Sequence, residues 1–92
     1  IADFTNAIDI DPLNAEYYYN RGGAKTYLKD YSGAVADYNK SIEINPKHAD
    51  SYWSRGMTKL LLRQKEEGCL DLSVAGELGY EGAYDLIETY CN

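Results

Sequence analysis

Apolar residues recur at helical spacing in several segments of the chain, and short polar or proline-containing stretches separate these segments. Residues 15–29 contain no proline and have an apolar spacing near 3.6, which predicts a helix with Asn14 as its N-cap. A second helix is predicted over 31–44, because Asp30 is a good N-cap and the Asn-Pro dipeptide at 45–46 disfavours helical backbone. The predicted buried face of this second helix consists of Ala34, Tyr38, Ser41 and Ile42.

The chain repeats itself with an offset of 34 residues and no gap. The stretch "IDPLNAEYYYNRGGAK" from Ile10 aligns with "INPKHADSYWSRGMTK" from Ile44, and "ADFTNAIDIDP" from Ala2 aligns with "ADYNKSIEINP" from Ala36. The stretch "LDLSVAGELGY" from Leu70 continues the same offset more loosely. Repetition of a helical hairpin at this period is typical of solenoids, in which each unit packs on its neighbours.

The offset divides the chain into segments. We predict the second helix of a truncated repeat, two full repeats and a C-terminal capping or further first helix, over 1–10, 11–44, 45–78 and 79–92. The second repeat is less regular, because its turn at 63–65 has no obvious cap and Gly68 replaces an alanine at a cost of about 1 kcal/mol in helix stability. Gly79 is the predicted glycine C-cap of the fourth helix.

Composition narrows the function classes. The 92 residues suit one small domain, and the net charge of −6 argues against nucleic acid, whose phosphates need clustered cations. No apolar run approaches the length of a membrane span, so we expect no membrane insertion. No metal-ligand set, phosphate loop or nucleophile–base pair appears, so we expect no cofactor and no enzyme activity. The chain opens with Ile1 rather than Met, so we interpret it as a piece of a longer protein.

The repeat resembles the tetratricopeptide repeat, a helix–turn–helix unit of 34 residues. The resemblance covers the whole chain, and Tyr80 stands where the second repeat should have a proline. The "NRGGAK" and "LGYEGAYDLIETYC" stretches are similar to bacterial members. The residues that match the signature are Tyr18, Gly22, Ala34, Tyr38, Ser41 and Pro46, and then Tyr52, Gly56, Gly68, Leu72 and Ala75.

The resemblance implies an all-α fold, an α-α superhelix built as a right-handed solenoid of antiparallel helix pairs. In such a fold the first helix of each repeat lines a concave groove, so of three successive tyrosines Tyr18 is expected in the core, Tyr19 in the groove and Tyr17 at a seam between repeats. The chaperone-binding members of the family grip a C-terminal carboxylate with Lys, Asn and Arg side chains of these helices, and at the matching positions here only Asn20 fits. The implied groove consists of Glu16, Tyr19, Asn20, Gly23, Thr26, Tyr27, Asp50, Trp53, Ser54, Met57, Leu60 and Leu61.

Two functions stay open at this point. The groove aromatics favour a scaffold that binds a peptide or helix segment of a partner protein, whereas the same side chains could instead pack on one another. The alternative is a structural or oligomerisation arm, or a regulatory repeat domain attached to another, catalytic, domain. Self-association would then use an apolar face of the first helix that includes Ile1, Phe4, Ile8 and Ile10.

Charged residues recur in register along the repeats. Arg21 and Arg55 occupy positions where apolar residues are more usual, and partly buried cations need partners. We predict a ladder in which Arg21 pairs with Asp3 or Asp37, and Arg55 pairs with Asp37 or Asp71. His48, between Lys47 and Ala49, is predicted to be a solvated loop residue.

The two cysteines leave the compartment undetermined. Antiparallel helices would bring Cys69 and Cys91 close together, so a disulfide and two small buried thiols are both compatible with the sequence, and we favour the thiols. We expect a bacterial, cytoplasmic protein if the thiols are free, and a periplasmic or secreted one if they are bridged.

Overall fold

The described part of the chain is a series of short antiparallel helices. The computed structural model describes residues 7–91, of which 7–10 are helical. Within this range the structure contains no strand, which confirms the all-α class. None of the described helices is long and apolar enough to cross a membrane. Five helices follow, namely α1 (Ala15–Tyr27), α2 (Tyr31–Ile44), α3 (Ala49–Leu61), α4 (Lys65–Glu77) and α5 (Ala83–Tyr90).

Most helix ends follow the local sequence. The side chains of Asn14 and Asp30 accept hydrogen bonds from the backbone N–H groups of Glu16 and Gly33, at 3.0 and 3.1 Å, so both predicted N-caps are confirmed. Gln64 makes no capping hydrogen bond, in agreement with the irregular turn expected before α4. Helix α1 ends at Tyr27, two residues earlier than predicted, because Lys29 adopts a left-handed backbone with φ of 66°.

Each helix packs on the next one along the chain. The pairs α1/α2 and α3/α4 are hairpins, α2 packs on α3, and α5 packs on α4. This nearest-neighbour pattern is that of a solenoid. Alanines, one leucine and one tyrosine fill the contacts, and the core residues that are at most 2% exposed are Ala34, Tyr38, Leu72, Ala75 and Ala83.

Glycines set the closest helix contact. A Cβ atom placed on Gly68 would lie 2.8 Å from the carbonyl oxygen of Gly56, and the reciprocal distance is also 2.8 Å. Helices α3 and α4 therefore meet backbone to backbone at this point. At Gly22, by contrast, the space is filled by the ring of Tyr38, whose Cε1 atom would lie 2.7 Å from an added Cβ.

Bidentate ion pairs connect the helices of each hairpin. Arg21 donates to both carboxylate oxygens of Asp37 at 2.8 and 2.7 Å, and Arg55 binds Asp71 at the same two distances. Of the two acids that the sequence offers each arginine, the structure thus selects Asp37 and Asp71. Asp3 lies outside the described residues.

The arginine pairs are partly buried and are reinforced. The carboxylates of Asp37 and Asp71 are only 5% and 8% exposed, and Lys25 and Lys59 approach them at 3.1 and 3.5 Å. Hydrogen bonding to Asp37 is the main cause that raises the pKa of Arg21, so this guanidinium keeps its charge. All four basic side chains of α1 and α3 are therefore engaged with acids of α2 and α4.

A disulfide joins α4 to the end of α5. Cys69 and Cys91, 22 residues apart in sequence, form an S–S bond. Our preference for two free thiols is therefore wrong. The reason is topological: α5 returns antiparallel to α4, so that the residue after its last turn lies beside Cys69 with a Cα–Cα distance of 5.9 Å.

Candidate groove for a peptide

A concavity of about 280 Å³ lies between α1 and α3. Six of the twelve predicted groove residues line it. The side chains present only apolar atoms, hydroxyl groups and one indole, so the concavity has no charged group in its wall. Its lining consists of Gly23, Thr26, Trp53, Ser54, Met57 and Leu61 from the predicted set, together with Tyr38 and Thr58.

Tyr38 forms part of this wall although it belongs to α2. It is 2% exposed, and its hydroxyl lies 3.2 Å from Thr26 Oγ1, which in turn donates to the carbonyl oxygen of Gly22 at 3.0 Å. The Tyr38 hydroxyl therefore donates to Thr26. Burial raises the pKa of Tyr38, so the phenol is neutral at physiological pH. Its position between two first helices, over side-chain-free Gly22, is what lets an α2 residue reach the groove.

Trp53 is covered on one side by Tyr80. The two rings are stacked, with centroids 5.1 Å apart and planes inclined by 18°. The indole Nε1 atom is buried and has no hydrogen-bond acceptor within residues 7–91. Tyr80 was not among the predicted groove residues, yet the sequence contained a signal, because an aromatic side chain stands there in place of the family's proline.

The carboxylate of Asp50 influences Tyr80. Partial desolvation raises the pKa of its phenol, and the negative charge of Asp50 and the phenol of Tyr19 raise this pKa further. Asp50, in the first turn of α3, is exposed. The residues Tyr19, Asp50, Trp53 and Tyr80 thus gather near the N-terminal ends of α1 and α3, and we call this set the aromatic-acidic end of the groove.

His48 is built into the helix ends rather than solvated. Its side chain is 9% exposed, caps α3 by accepting from the backbone N–H of Ser51, and places Nε2 2.7 Å from Glu16. Its ring also packs on Tyr19, with centroids 5.2 Å apart. The prediction that His48 is a solvated loop residue is therefore wrong. No local pattern reveals this role, because Glu16 is 32 residues away along the chain.

The hydrogen-bond chain through His48 resembles a catalytic relay only in its residue types. Ser51 Oγ lies 2.7 Å from His48 Nδ1 and 2.8 Å from Ser41 Oγ, while Nε2 faces Glu16. Both serines are 0% exposed, and Ser41 Oγ is also engaged with the carbonyl oxygen of Ala15 at 2.9 Å. A hydroxyl so enclosed cannot reach a substrate. These hydrogen bonds instead hold α1, α2 and α3 together.

The remaining predicted groove residues lie at its edges or elsewhere. Tyr27, the last residue of α1, is 88% exposed and does not line the concavity. Asn20 is exposed on α1. Leu60 belongs to the helix contact instead, because a Cβ atom on Gly68 would lie 3.1 Å from its Cγ atom.

The three adjacent tyrosines of α1 have different surroundings. All three are half-buried. The guanidinium carbon of Arg21 lies 5.7 Å from the ring centroid of Tyr18, and Tyr19 packs on Tyr38 with centroids 6.0 Å apart. Tyr18 therefore stacks on a cation and is only half-buried, so the core position predicted for it is wrong, whereas the predicted burial of Tyr38 is confirmed.

Comparison with known proteins identifies the repeat. Residues 15–48 match the family model of the tetratricopeptide repeat. A comparison with curated proteins finds no significant match. Residues 15–48 are therefore a tetratricopeptide repeat, and the chain has the fold of the solved tetratricopeptide-repeat domains described next.

Several solved structures are similar over most of the chain. The first TPR domain of Spaghetti (RPAP3), solved with the HSP90 peptide SRMEEVD, is 27% identical with a TM-score of 0.90, over 96% of this chain and 71% of that one. The Arabidopsis OM64 TPR domain is 28% identical with a TM-score of 0.92, over 96% and 74%. YrrB, a TPR protein with an unusual peptide-binding site, is 24% identical with a TM-score of 0.82, over 85% and 40%.

Proposed function

We propose that this chain is a protein–protein interaction scaffold whose groove binds a peptide or helix segment of a partner protein. The observation that carries the proposal is the uncharged concavity of about 280 Å³ between α1 and α3, whose lining includes Leu61 with 57% of its surface exposed. Aromatic, Met and Leu side chains in a concave surface are typical of interface centres. The similar domain of Spaghetti (RPAP3) was solved with a peptide bound, which supports the same class of ligand here.

The polar side chains of the described residues favour a binding function over a catalytic one. The Ser51–His48–Glu16 contacts are enclosed between helices, and the two bidentate arginines are neutralised by Asp37 and Asp71. None of these groups borders the concavity. The chain belongs by fold to a class of interaction repeats, and we infer that it acts without a catalytic step of its own.

The groove assignment can be tested with a combinatorial library of octapeptides, acetylated and amidated to remove terminal charges. The labelled chain should bind a subset of beads, and Tyr19→Ala or Trp53→Ala should abolish that binding. Leu61→Ser provides a variant whose side chain is 57% exposed, so it weakens binding without unfolding the chain. Tyr90→Ala, which removes a ring that is 50% exposed on α5, is the matched control.

Circular dichroism at 222 nm checks that each variant keeps its helices. If the folded Leu61→Ser and Tyr19→Ala variants bind the same beads as strongly as the original chain, the concavity is not the binding surface. If Tyr90→Ala removes binding while the groove variants do not, the site lies on α5 instead.

A second candidate function is a structural or oligomerisation arm. Ile10, at the end of the helical segment 7–10, and Leu13, just before α1, are 85% and 76% exposed, whereas Ile8 is only 7% exposed. Such apolar exposure favours a covering surface, either from a second copy or from another domain of a longer protein. Sedimentation at increasing concentration distinguishes the two cases, because Ile10→Ser and Leu13→Ser should abolish any dimer formed through this surface.

The Cys69–Cys91 bridge also bears on the compartment. Disulfides persist in oxidising environments and are rare in the reducing cytosol. We infer that the protein resides in an oxidising compartment, such as a periplasm or the outside of the cell. Mass spectrometry of the protein taken from its source without reductant should then give a mass lower than that of the reduced form by two hydrogen atoms.

A further inference from the structure

The aromatic-acidic end differs in chemistry from the rest of the groove. Trp53 and Tyr80 form a stacked pair with centroids 5.1 Å apart, and Asp50 lies three residues before Trp53 on the same face of α3. The charge of Asp50 and the phenol of Tyr19 also raise the pKa of Tyr80. The three rings are half-buried and Asp50 is exposed, so the set is accessible from the groove.

The basic side chains of α1 and α3 are all paired with acids, whereas one acid of these helices is unpaired. The basic side chains of α1 and α3 are Arg21, Lys25, Arg55 and Lys59, and each binds Asp37 or Asp71. The acids of the same two helices are Glu16, which contacts His48, and Asp50, which has no ion pair or hydrogen bond within residues 7–91. The charge left unpaired on these two helices is therefore negative, as is the net charge of the whole chain at −6.

We propose that the aromatic-acidic end is a subsite for a basic side chain, lysine or arginine, of the bound peptide, while the neighbouring concavity takes apolar residues. A cation is attracted by the faces of Trp and Tyr rings, and Asp50 adds an opposite charge beside them. The same arrangement repels carboxylates, so a peptide with an acidic end like SRMEEVD, bound by Spaghetti (RPAP3), is a poor ligand here. This inference rests on the proposed function, since it assigns one end of the proposed groove.

The octapeptide library tests the chemistry directly. Beads that bind the original chain but not the Leu61→Ser variant should be enriched in lysine or arginine at one position beside apolar residues. Enrichment in aspartate or glutamate, or no preference for charge among these beads, overturns the basic subsite while the groove stays valid. The absence of beads that depend on Leu61 and Tyr19 overturns the proposed function as well.

Titration of a selected peptide locates the subsite. Trp53 is the only tryptophan, so its fluorescence reports binding. Asp50→Asn should weaken a lysine-containing peptide roughly three- to tenfold and leave its norleucine analogue unchanged. Asp85→Asn is the matched control, because Asp85 is also an exposed acid in the first turn of a helix, here α5. Equal loss of affinity for both peptides, or no loss for either, would overturn the assignment of Asp50.

Discussion

Two glycines of α4 should respond to alanine in opposite directions. Gly68 and Gly76 both lie inside the helix, so an alanine raises helix propensity at either position by about 1 kcal/mol. Their surroundings differ. An added Cβ at Gly68 meets the carbonyl oxygen of Gly56 at 2.8 Å, and this atom belongs to the backbone of α3 and cannot move alone.

At Gly76 the obstacle can move. The nearest atom to an added Cβ is Cζ of Tyr84 at 2.8 Å, but this ring is 61% exposed and can turn towards solvent. We therefore expect Gly76→Ala to stabilise the fold by up to about 1 kcal/mol. Overpacking costs about 1–3 kcal/mol, and a backbone clash lies in the upper part of that range, so Gly68→Ala should destabilise by about 1–2 kcal/mol net.

Urea denaturation followed by circular dichroism and by Trp53 fluorescence measures both effects. The two variants differ by about 1–3 kcal/mol, so a slope near 1–2 kcal/mol/M separates their midpoints by about 0.5–3 M urea. Equal slopes for the variants ensure that the midpoints report stability. If Gly68→Ala unfolds at the same urea concentration as the original chain or a higher one, then the close approach of α3 and α4 does not require glycine, and the packing argument is wrong.

Three further predictions concern charge and backbone. Asp71→Asn leaves Arg55 without its anion and should lower the free energy of unfolding by about 2–4 kcal/mol in urea, whereas Glu43→Gln at an exposed pair should change it by less than about 0.5 kcal/mol. Glycine at Lys29 or Arg63, whose φ angles are 66° and 63°, should raise stability by about 0.5–1 kcal/mol each, and an unchanged or lower Tm would contradict this. Because the pKa of Tyr38 is raised in the folded state, its stabilisation is present below its ordinary value of 10.0 and is lost as pH rises through the folded pKa. Tyr38→Phe should therefore flatten the alkaline part of the stability curve, and an unaltered curve would show that Tyr38 does not cause it.

Local signals in the sequence account for most of the fold. The repeat offset places the helix pairs, and capping by Asn14 and Asp30 follows from residue type alone. The early end of α1 does not follow, because Lys29 adopts a backbone conformation usually reserved for glycine. The sequence likewise shows only that Gly68 lowers the stability of its helix. The close helix contact that offsets this loss involves Gly56 on another helix and is visible only in the structure.

The site was predictable only as far as the repeat offset reaches. Trp53 follows from Tyr19 by that offset, so one groove residue leads to the other. Tyr38 enters the wall from a second helix, and the contact of His48 with Glu16 joins separate repeats. Such contacts depend on how neighbouring hairpins stack. No pattern within a single hairpin contains that information.

The arginine–aspartate pairs connect stability with the chemistry of the groove. In each pair, an arginine of a helix that lines the concavity (α1 or α3) is neutralised by an aspartate of the next helix (α2 or α4). A carboxylate-binding groove needs free cations, and all four basic side chains of α1 and α3 are instead bound to acids at the hairpin contacts. Since Asp37 and Asp71 are nearly buried, releasing an arginine for a ligand would leave an unpaired charge inside the fold at a cost of several kcal/mol. The proposed preference for a basic, apolar segment is thus consistent with the packing of the repeats, and a variant that reverses it needs a cation on the groove wall itself.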